Sequence, residues 1–172
     1  MRASTCGWAL LCLLLVTSVW AAEEKRDEPK RHVSKERGFS VSVPKDWVVE
    51  DKAGEPLLMQ EKVANSQQMV SINIAQAKGF KTAEEYAAQI QRALADQFNI
   101  HSSQAKKEAI DLPIGRAAKY VLIQNDSQAE IVYYMLDAAN ARIFVITCRA
   151  GEDWQSVEAR YDWVAKSIRL EK

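Results

Sequence analysis

Side chains suited to metal binding or nucleophilic catalysis are few in this chain. It has two histidines, His32 and His101, and three cysteines, of which only Cys148 lies beyond the first twelve residues. A metal site needs several His, Cys or carboxylate ligands at short spacing, and a redox pair needs two cysteines. We therefore expect no metal site and no cofactor. Cys148 ends a predicted strand in which Ile143 to Ile146 are all apolar, which favours an inert buried thiol over a reactive one.

Local motifs of the common enzyme classes are also missing from the sequence. No glycine-rich phosphate loop occurs, and no serine lies in a G-x-S-x-G turn. Serines are too many to exclude a Ser-His-acid triad by counting, but the two histidines are poorly placed for one. The carboxylates Glu84 and Glu85 are better explained by a helix start, because Thr82 and Glu85 have capping-box spacing. We predict a protein that is not an enzyme.

The first 21 residues have the layout of a secretory signal peptide. Arg2 precedes an apolar run from Trp8 to Trp20, and small residues then lead to a predicted cleavage after Ala21. The run is shorter than the roughly 20 apolar residues that a membrane span needs. We expect export to the periplasm or the extracellular space, with no membrane span after cleavage.

A charged segment follows at residues 22–37. Eleven of its sixteen residues are charged and only Val33 is strongly apolar, so we predict a flexible tether that cannot offset the entropy of ordering. A solvated leader is the simpler interpretation, and a partner-binding arm with Arg31 and His32 as candidate contacts is the alternative. The whole chain has 23 basic and 23 acidic residues. This balance gives no electrostatic footprint for nucleic acid.

Residues 38–172 carry the pattern of one globular α+β domain. Two segments, beginning near Thr82 and Trp154, have the 3.6-residue period of amphipathic helices. Short connections between three strands from Ala117 to Cys148 predict an antiparallel meander. We predict a central, mostly antiparallel sheet of about six to eight strands, with a helix on each face. The predicted strands are 39–43, 47–49, 57–63, 70–75, 104–111, 117–124, 130–136 and 142–148.

One tryptophan of the second helix is a candidate contact residue. Trp154 and Trp163 are nine residues apart, which is about 180° around a helix. Trp154 falls on the apolar stripe, so Trp163 is expected toward solvent or a flank. An exposed Trp can anchor a partner. Packing of Trp163 against the tether or a loop is the alternative.

The segment from Gly38 to Trp47, G-F-S-V-S-V-P-K-D-W, resembles the opening of the PsbP and DcrB-like superfamily. A helix that starts T-A-E-E-Y, a strand entry G-R-A-A-K-Y and a closing helix that ends S-I-R-L follow in a similar order. The resemblance spans Gly38 to Leu170 and implies an α/β/α sandwich around an antiparallel sheet. It also implies a non-enzymatic accessory or binding protein.

These observations favour one function over another. We predict an exported non-catalytic accessory or binding domain that associates with a protein complex at or near the membrane. Its partner is a protein of unknown identity, with Trp163, Arg31 and His32 as candidate contacts. The alternative is a periplasmic small-molecule carrier or envelope stress component, with an apolar ligand held between sheet and helix.

Overall fold

The computed structural model describes residues 29–64, 66–77, 79–98, 105–125, 128–151 and 154–171. The predicted signal peptide, its cleavage after Ala21 and residues 22–28 of the charged segment lie outside the described residues. The strands are β1 (Lys30–Ser34), β2 (Phe39–Val43), β3 (Trp47–Glu50), β4 (Leu57–Glu61), β5 (Met69–Gln76), β6 (Ala105–Leu112), β7 (Gly115–Asn125), β8 (Gln128–Asp137), β9 (Arg142–Ala150) and β10 (Arg169–Leu170), and the helices are α1 (Ala83–Phe98) and α2 (Trp154–Ser167), with a 3-10 turn at Ala138–Asn140.

The central sheet has seven antiparallel strands in the order β3-β4-β5-β9-β8-β7-β6. This confirms the predicted antiparallel sheet and the meander, which is formed by β7, β8 and β9. The strand predicted at residues 104–111 is β6, and it lies at one edge of the sheet. The described helices are both too short and too polar to cross a membrane.

The two helices lie on opposite faces of the central sheet, as the side chains of β8 show. Tyr133 points toward α2, where its hydroxyl donates a hydrogen bond to Oδ1 of Asp162 at 2.6 Å. Its neighbour Tyr134 points toward α1, where it accepts a hydrogen bond from Nε2 of Gln91 at 3.1 Å. Adjacent residues of a strand point to opposite faces of the sheet. The consecutive apolar residues of β8 are therefore buried on both faces, under α2 and under α1.

Helix α1 begins as its sequence predicts. The Thr82 hydroxyl accepts a hydrogen bond from the backbone N–H of Glu85 at 3.1 Å, and the Glu85 carboxylate accepts one from the backbone N–H of Lys81 at 2.8 Å. Two otherwise unpaired donors of the helix start are thereby satisfied. Glu85 is therefore a capping residue.

Strand β2 belongs to a second sheet, which the sequence did not predict. It lies between β1 and β10 in a three-stranded antiparallel sheet beside α2. Its inward residues still reach the main core, where the rings of Phe39 and Phe144 meet edge to face at 5.5 Å. Alternation predicts that a segment is a strand, but not which strand it pairs with.

The predicted flexible tether is wrong for Lys30–Ser34, which forms β1. These residues pair in register with β2, from Lys30 opposite Val43 to Ser34 opposite Phe39. An edge strand needs only main-chain hydrogen bonds on one side, so it tolerates charged side chains. Gly38, at φ +66°, closes the hairpin with its N–H 3.2 Å from the carbonyl of Lys35.

Arg37 ties the β1–β2 hairpin to the turn that follows β3. Its guanidinium donates hydrogen bonds to the carboxylate of Asp51, to the carbonyl of Lys52 at 2.6 Å and to the carbonyl of Glu55. The carbonyl of Arg37 accepts a hydrogen bond from Arg142 at 2.8 Å. The end of the charged segment is therefore part of the fold.

Deleting residues 22–37 from the exported chain should lower its free energy of unfolding by about 2 kcal/mol or more, because β2 loses the hydrogen bonds of β1 at roughly 0.5–1.5 kcal/mol each. Deleting only residues 22–28 is the control and leaves β1 in place. Denaturant unfolding followed by circular dichroism measures both. Equal stability of the two deletions would contradict a structural β1.

Candidate functional site

Trp163 lies on the exposed side of α2. The helix buries Val157, Tyr161 and Val164 against the sheet, and Trp154 packs partly buried at the same core. Trp163 keeps 38% of its surface exposed. The predicted separation of the two tryptophans around the helix is thus present in the structure.

Arg31 comes from β1 to the same side of α2. Its Nη2 donates a hydrogen bond to Oγ of Ser40 at 2.5 Å, and its Nη1 donates a longer one to the carbonyl of Ser167 at 3.5 Å. Ser167 follows Trp163 by four residues, and residues four apart share one face of a helix. Arg31 therefore contacts α2 one turn beyond Trp163, and we group these two candidates as one surface.

This surface combines exposed apolar groups with positive charge. Val33 is 45% exposed and shares a face of β1 with Arg31, because alternate residues of a strand point the same way. Arg169 of β10 pairs with Ser40, and its guanidinium donates to the carbonyl of Lys166 at 2.7 Å. One acidic group, Glu171, is engaged by the Ser40 hydroxyl. We define the β1–α2 surface as the one formed by Arg31, Val33, Trp163, Lys166 and Arg169.

His32 does not belong to this surface, because it points to the other side of β1. Its Nε2 lies 2.8 Å from Oδ2 of Asp51, and Oδ1 of the same carboxylate accepts a hydrogen bond from the Arg37 guanidinium. Burial, Lys30 and Arg37 together lower the pKa of His32, and Asp51 is already paired. The imidazole is therefore neutral at pH 7 and donates its Nε2 proton to Asp51. His32 is a hairpin residue in this geometry.

Acidification should test this state of His32. A lowered pKa in the folded chain means that the unfolded chain binds the proton more readily, so stability is present above about pH 6.5 and is lost as pH falls. Between pH 7.5 and pH 5 the native chain should lose more unfolding free energy than His32→Gln, which keeps a donor for Asp51. A smaller loss in the native chain would contradict a depressed His32 pKa.

A buried lysine between the central sheet and α2 is the strongest electrostatic feature of the described residues. Lys119 of β7 is 1% exposed. Its ammonium lies 2.6 Å from Oε1 of Glu158, 2.8 Å from Oδ1 of Asp162 and 3.2 Å from Oε1 of Glu108. The Tyr133 hydroxyl donates to the same Asp162 oxygen at 2.6 Å. We call these five residues the Lys119 cluster.

The shifted pKa values of Lys119 and Tyr133 indicate that both side chains keep their protons at neutral pH. Burial alone would lower the pKa of Lys119, but its hydrogen bonds with Asp162 and Glu158 outweigh burial and raise the pKa above its usual value. Burial also raises the pKa of Tyr133, together with the nearby Cys148 and Asp162. Lys119 is thus a permanent cation whose Nζ is enclosed, which suits a structural clamp and not a nucleophile.

Sequence reasoning missed this cluster, although one signal was available. In β7 the positions that face α2 are Ala117, Lys119 and Val121, so a lysine stands where the residues two before and two after it are buried and apolar. A buried charge requires partners. Glu108 lies directly opposite Lys119 across the β6–β7 hairpin, but Glu158 and Asp162 come from α2, which no local pattern connects to β7.

Replacing Lys119 with Met should lower the unfolding free energy by about 3 kcal/mol or more, because three carboxylates would lose their shared cation. Lys62→Met is the matched control, since Lys62 is an exposed lysine that directly follows β4. Its change should stay within about 0.5 kcal/mol. Chemical denaturation at pH 7 measures both. A Lys119→Met chain that is as stable as the control would contradict the structural role of Lys119.

Cys148 lies near this cluster on the inner face of β9. It is fully buried, and burial followed by the charge of Asp162 raises its thiol pKa well above the usual value. A thiol that ionises reluctantly and has no exposure is a poor nucleophile. In the part of the chain that the structure describes, no three His, Cys, Asp or Glu side chains are arranged to hold a metal ion.

Comparison with known proteins identifies the fold. No family model and no curated protein matches the chain. Among solved structures, cyanobacterial PsbP (CyanoP) from Synechocystis sp. PCC 6803 aligns with a TM-score of 0.58 at 17% identity, over 83% of this chain and 92% of that chain. The chain has the PsbP-like fold.

Two further structures share this architecture at low identity. The Ran-binding protein Mog1p of Saccharomyces cerevisiae aligns with a TM-score of 0.57 at 7% identity, over 83% of this chain and 95% of that chain. A Bacteroides thetaiotaomicron VPI-5482 protein aligns at 0.55 and 13% identity, over 84% of this chain and 49% of that one. The resemblance noted from Gly38 onward is confirmed for the fold, and identities this low carry no residue roles across.

Proposed function

We propose that this protein is an exported, non-catalytic accessory domain that binds a protein partner through the β1–α2 surface. The observation that carries the proposal is the position of Trp163. A large aromatic side chain stands 38% exposed on α2, on the side that Arg31 reaches from β1. Binding energy at protein interfaces concentrates in Trp, Tyr and Arg anchors of this kind.

The charge of the surface indicates the chemistry of the partner. Arg31, Lys166 and Arg169 contribute three cations around Trp163 and Val33, and the nearby carboxylate of Glu171 is held by Ser40. A partner that fits would present an apolar pocket for the indole with carboxylates around it. Complementary charge of this kind speeds association and excludes wrong partners.

The fold supports only the general class of function in the proposal, which is protein binding. The Mog1p structure is described as a Ran-binding protein, so the same architecture serves protein recognition elsewhere. One fold hosts many functions, and the partner of this chain follows from its own surface. Export is inferred from the signal-peptide layout of residues 1–21.

The carrier alternative requires an apolar space between the sheet and a helix. At the α1 interface, the rings of Tyr86 and Tyr120 each lie about 6 Å from that of Tyr134. At the α2 interface, the rings of Trp47 and Tyr161 meet at 6.4 Å. These contacts place packed aromatic side chains at both interfaces where a ligand would lie, which favours protein binding over the carrier function.

Trp163→Ala should abolish co-purification of the partner with the tagged, exported protein from its native envelope, and Arg31→Gln should weaken it. Arg116→Gln, an exposed arginine on β7, is the control and should retain the partner. Mass spectrometry of the retained proteins, with thermal unfolding of each variant, is the measurement. Loss of an anchoring Trp costs about 2 kcal/mol or more, which is roughly a thirtyfold loss of affinity.

Two results would contradict the proposal. One is a stoichiometric partner that all three variants retain equally, since binding would then use another surface. The other is an exported protein that retains no partner even before mutation. A partner lost only from variants that also unfold would assign the effect to stability, and the unfolding curves separate that case.

A further inference from the structure

The longest edge strand of the described sheets is β6, at the end of the central sheet opposite to β3. It has eight residues, against four in β3 and five in β1. Strand β7 pairs with one side of it in unbroken register, from Ala105 opposite Leu122 to Leu112 opposite Gly115. No strand among the described residues pairs with its other side. A row of unpaired backbone N–H and C=O groups can accept a further strand.

The hairpin turn shows which residues of β6 carry this unpaired row. Leu112 and Gly115 flank a two-residue turn, and residues in these positions exchange backbone hydrogen bonds with each other. Hydrogen-bonded positions alternate along an antiparallel pair, so the N–H and C=O groups of Lys107, Ala109 and Asp111 point away from β7. The side chains of these three residues are exposed. The free edge therefore offers both backbone groups and accessible side chains.

The charges of β6 are ordered along the strand. Both cations, Lys106 and Lys107, precede both anions, Glu108 and Asp111. Glu108 is already bound to the buried Lys119, whereas Asp111 takes part in none of the ion pairs between described residues. An antiparallel copy of this strand would bring the cationic start of each strand to the anionic end of the other. The charge order therefore favours an antiparallel copy of β6 as the further strand.

One register matches the charges and the backbone together. An antiparallel copy centred on Ala109 places the two Ala109 residues opposite each other. Lys107 of each copy then lies opposite Asp111 of the other, and two-fold symmetry makes this pair twice. Lysines on an edge strand ordinarily prevent pairing with other chains. In this register they instead select one partner, because each Lys107 meets a carboxylate.

The neighbouring registers lack this match. Centring the pair on Lys107, Glu108 or Asp111 places that residue opposite its own copy, and like charges directly opposed destabilise a pair of strands. Centring it on Ile110 places Lys107 opposite Pro113, which has no N–H to donate. The register centred on Ale109 is therefore the one that the sequence of β6 favours.

We propose that two copies of this chain pair through β6, antiparallel and centred on Ala109, so that their central sheets join into one. The outward positions Lys107, Ala109 and Asp111 each exchange two backbone hydrogen bonds with the position opposite, which gives about six in total. An interface of one strand from each copy belongs to the small, weak class. We therefore expect monomer and dimer in equilibrium. This dimer does not depend on the proposed protein partner.

Sedimentation equilibrium of the exported chain, from about 10 μM to about 1 mM, measures the pairing. Lys107→Asp and Asp111→Lys should each raise the dimer dissociation constant about tenfold or more, because attraction becomes repulsion at two symmetric positions. The double variant restores opposite charges and should return the constant to within about threefold of the native value. Lys106→Asp is the matched control, because Lys106 lies opposite Leu112 in this register. Its constant should also stay within about threefold.

A cysteine at the centre of β6 tests the register directly. Opposed Cα atoms of a hydrogen-bonded antiparallel pair are about 5.5 Å apart, which a disulfide can bridge. Ala109→Cys should therefore give a cross-linked dimer under mild oxidation. Asp111→Cys is the control, because the two Asp111 residues lie about 14 Å apart along the paired strands and should not cross-link. The native thiol of Cys148 is buried and takes no part.

Three outcomes would overturn the proposal. The first is a monomer at every concentration up to about 1 mM. The second is a dimer that the single charge variants do not weaken or that the double variant does not restore, although thermal unfolding shows each variant to be folded. The third is equal cross-linking of Asp111→Cys and Ala109→Cys. Trp163→Ala should form the dimer normally, which separates loss of the dimer from loss of the protein partner.

Discussion

The buried ammonium of Lys119 is the constraint on which the position of α2 depends. A charge in the interior is stable only when its partners surround it, so Glu158 and Asp162, one helical turn apart, must both face β7. This requirement fixes the rotation of α2 about its axis. Trp163 is the next residue after Asp162 and lies about 100° further around the helix, toward β1. The Lys119 cluster therefore determines that Trp163 is the aromatic side chain exposed on α2.

The two faces of the central sheet differ in how much of their area other elements cover. Seven strands at about 4.8 Å span roughly 29 Å, whereas a helix is about 10 Å wide. On one face α2 lies beside the three-stranded sheet, and together they cover a continuous core. On the other face α1 packs on β7 and β8. The strands beyond them carry Ser71, Asn73 and Thr147, which suit contact with water or a polar ligand.

Local patterns predicted most of the elements, and pairing explains what they missed. Strands β2 and β5 and both helices follow apolar periods of 2 and 3.6 residues, which depend on the burial of one face. Strands β8 and β9 are instead apolar at consecutive positions, because both of their faces are covered. Strand β1 follows no such rule, because Lys30-Arg31-His32 is held by the backbone of β2 and by contacts of its side chains with Ser40 and Asp51. Its charged composition therefore predicted a tether where the structure has an edge strand.

The candidate functional residues also divide into those that a local sequence pattern predicts and those that only the tertiary structure brings together. Trp163 was predictable because an offset of nine residues on one helix is local geometry. Lys119 was detectable as a lysine between the apolar positions Ala117 and Val121 of β7, but its partners Glu158 and Asp162 on α2 were not. Gln60, Met69, Arg149 and Glu130 lie side by side on β4, β5, β9 and β8 only through the register of three strand pairs, and Arg149 is 89 residues from Gln60 in the sequence. Chemistry that depends on sheet order is visible only once the order of the strands is known.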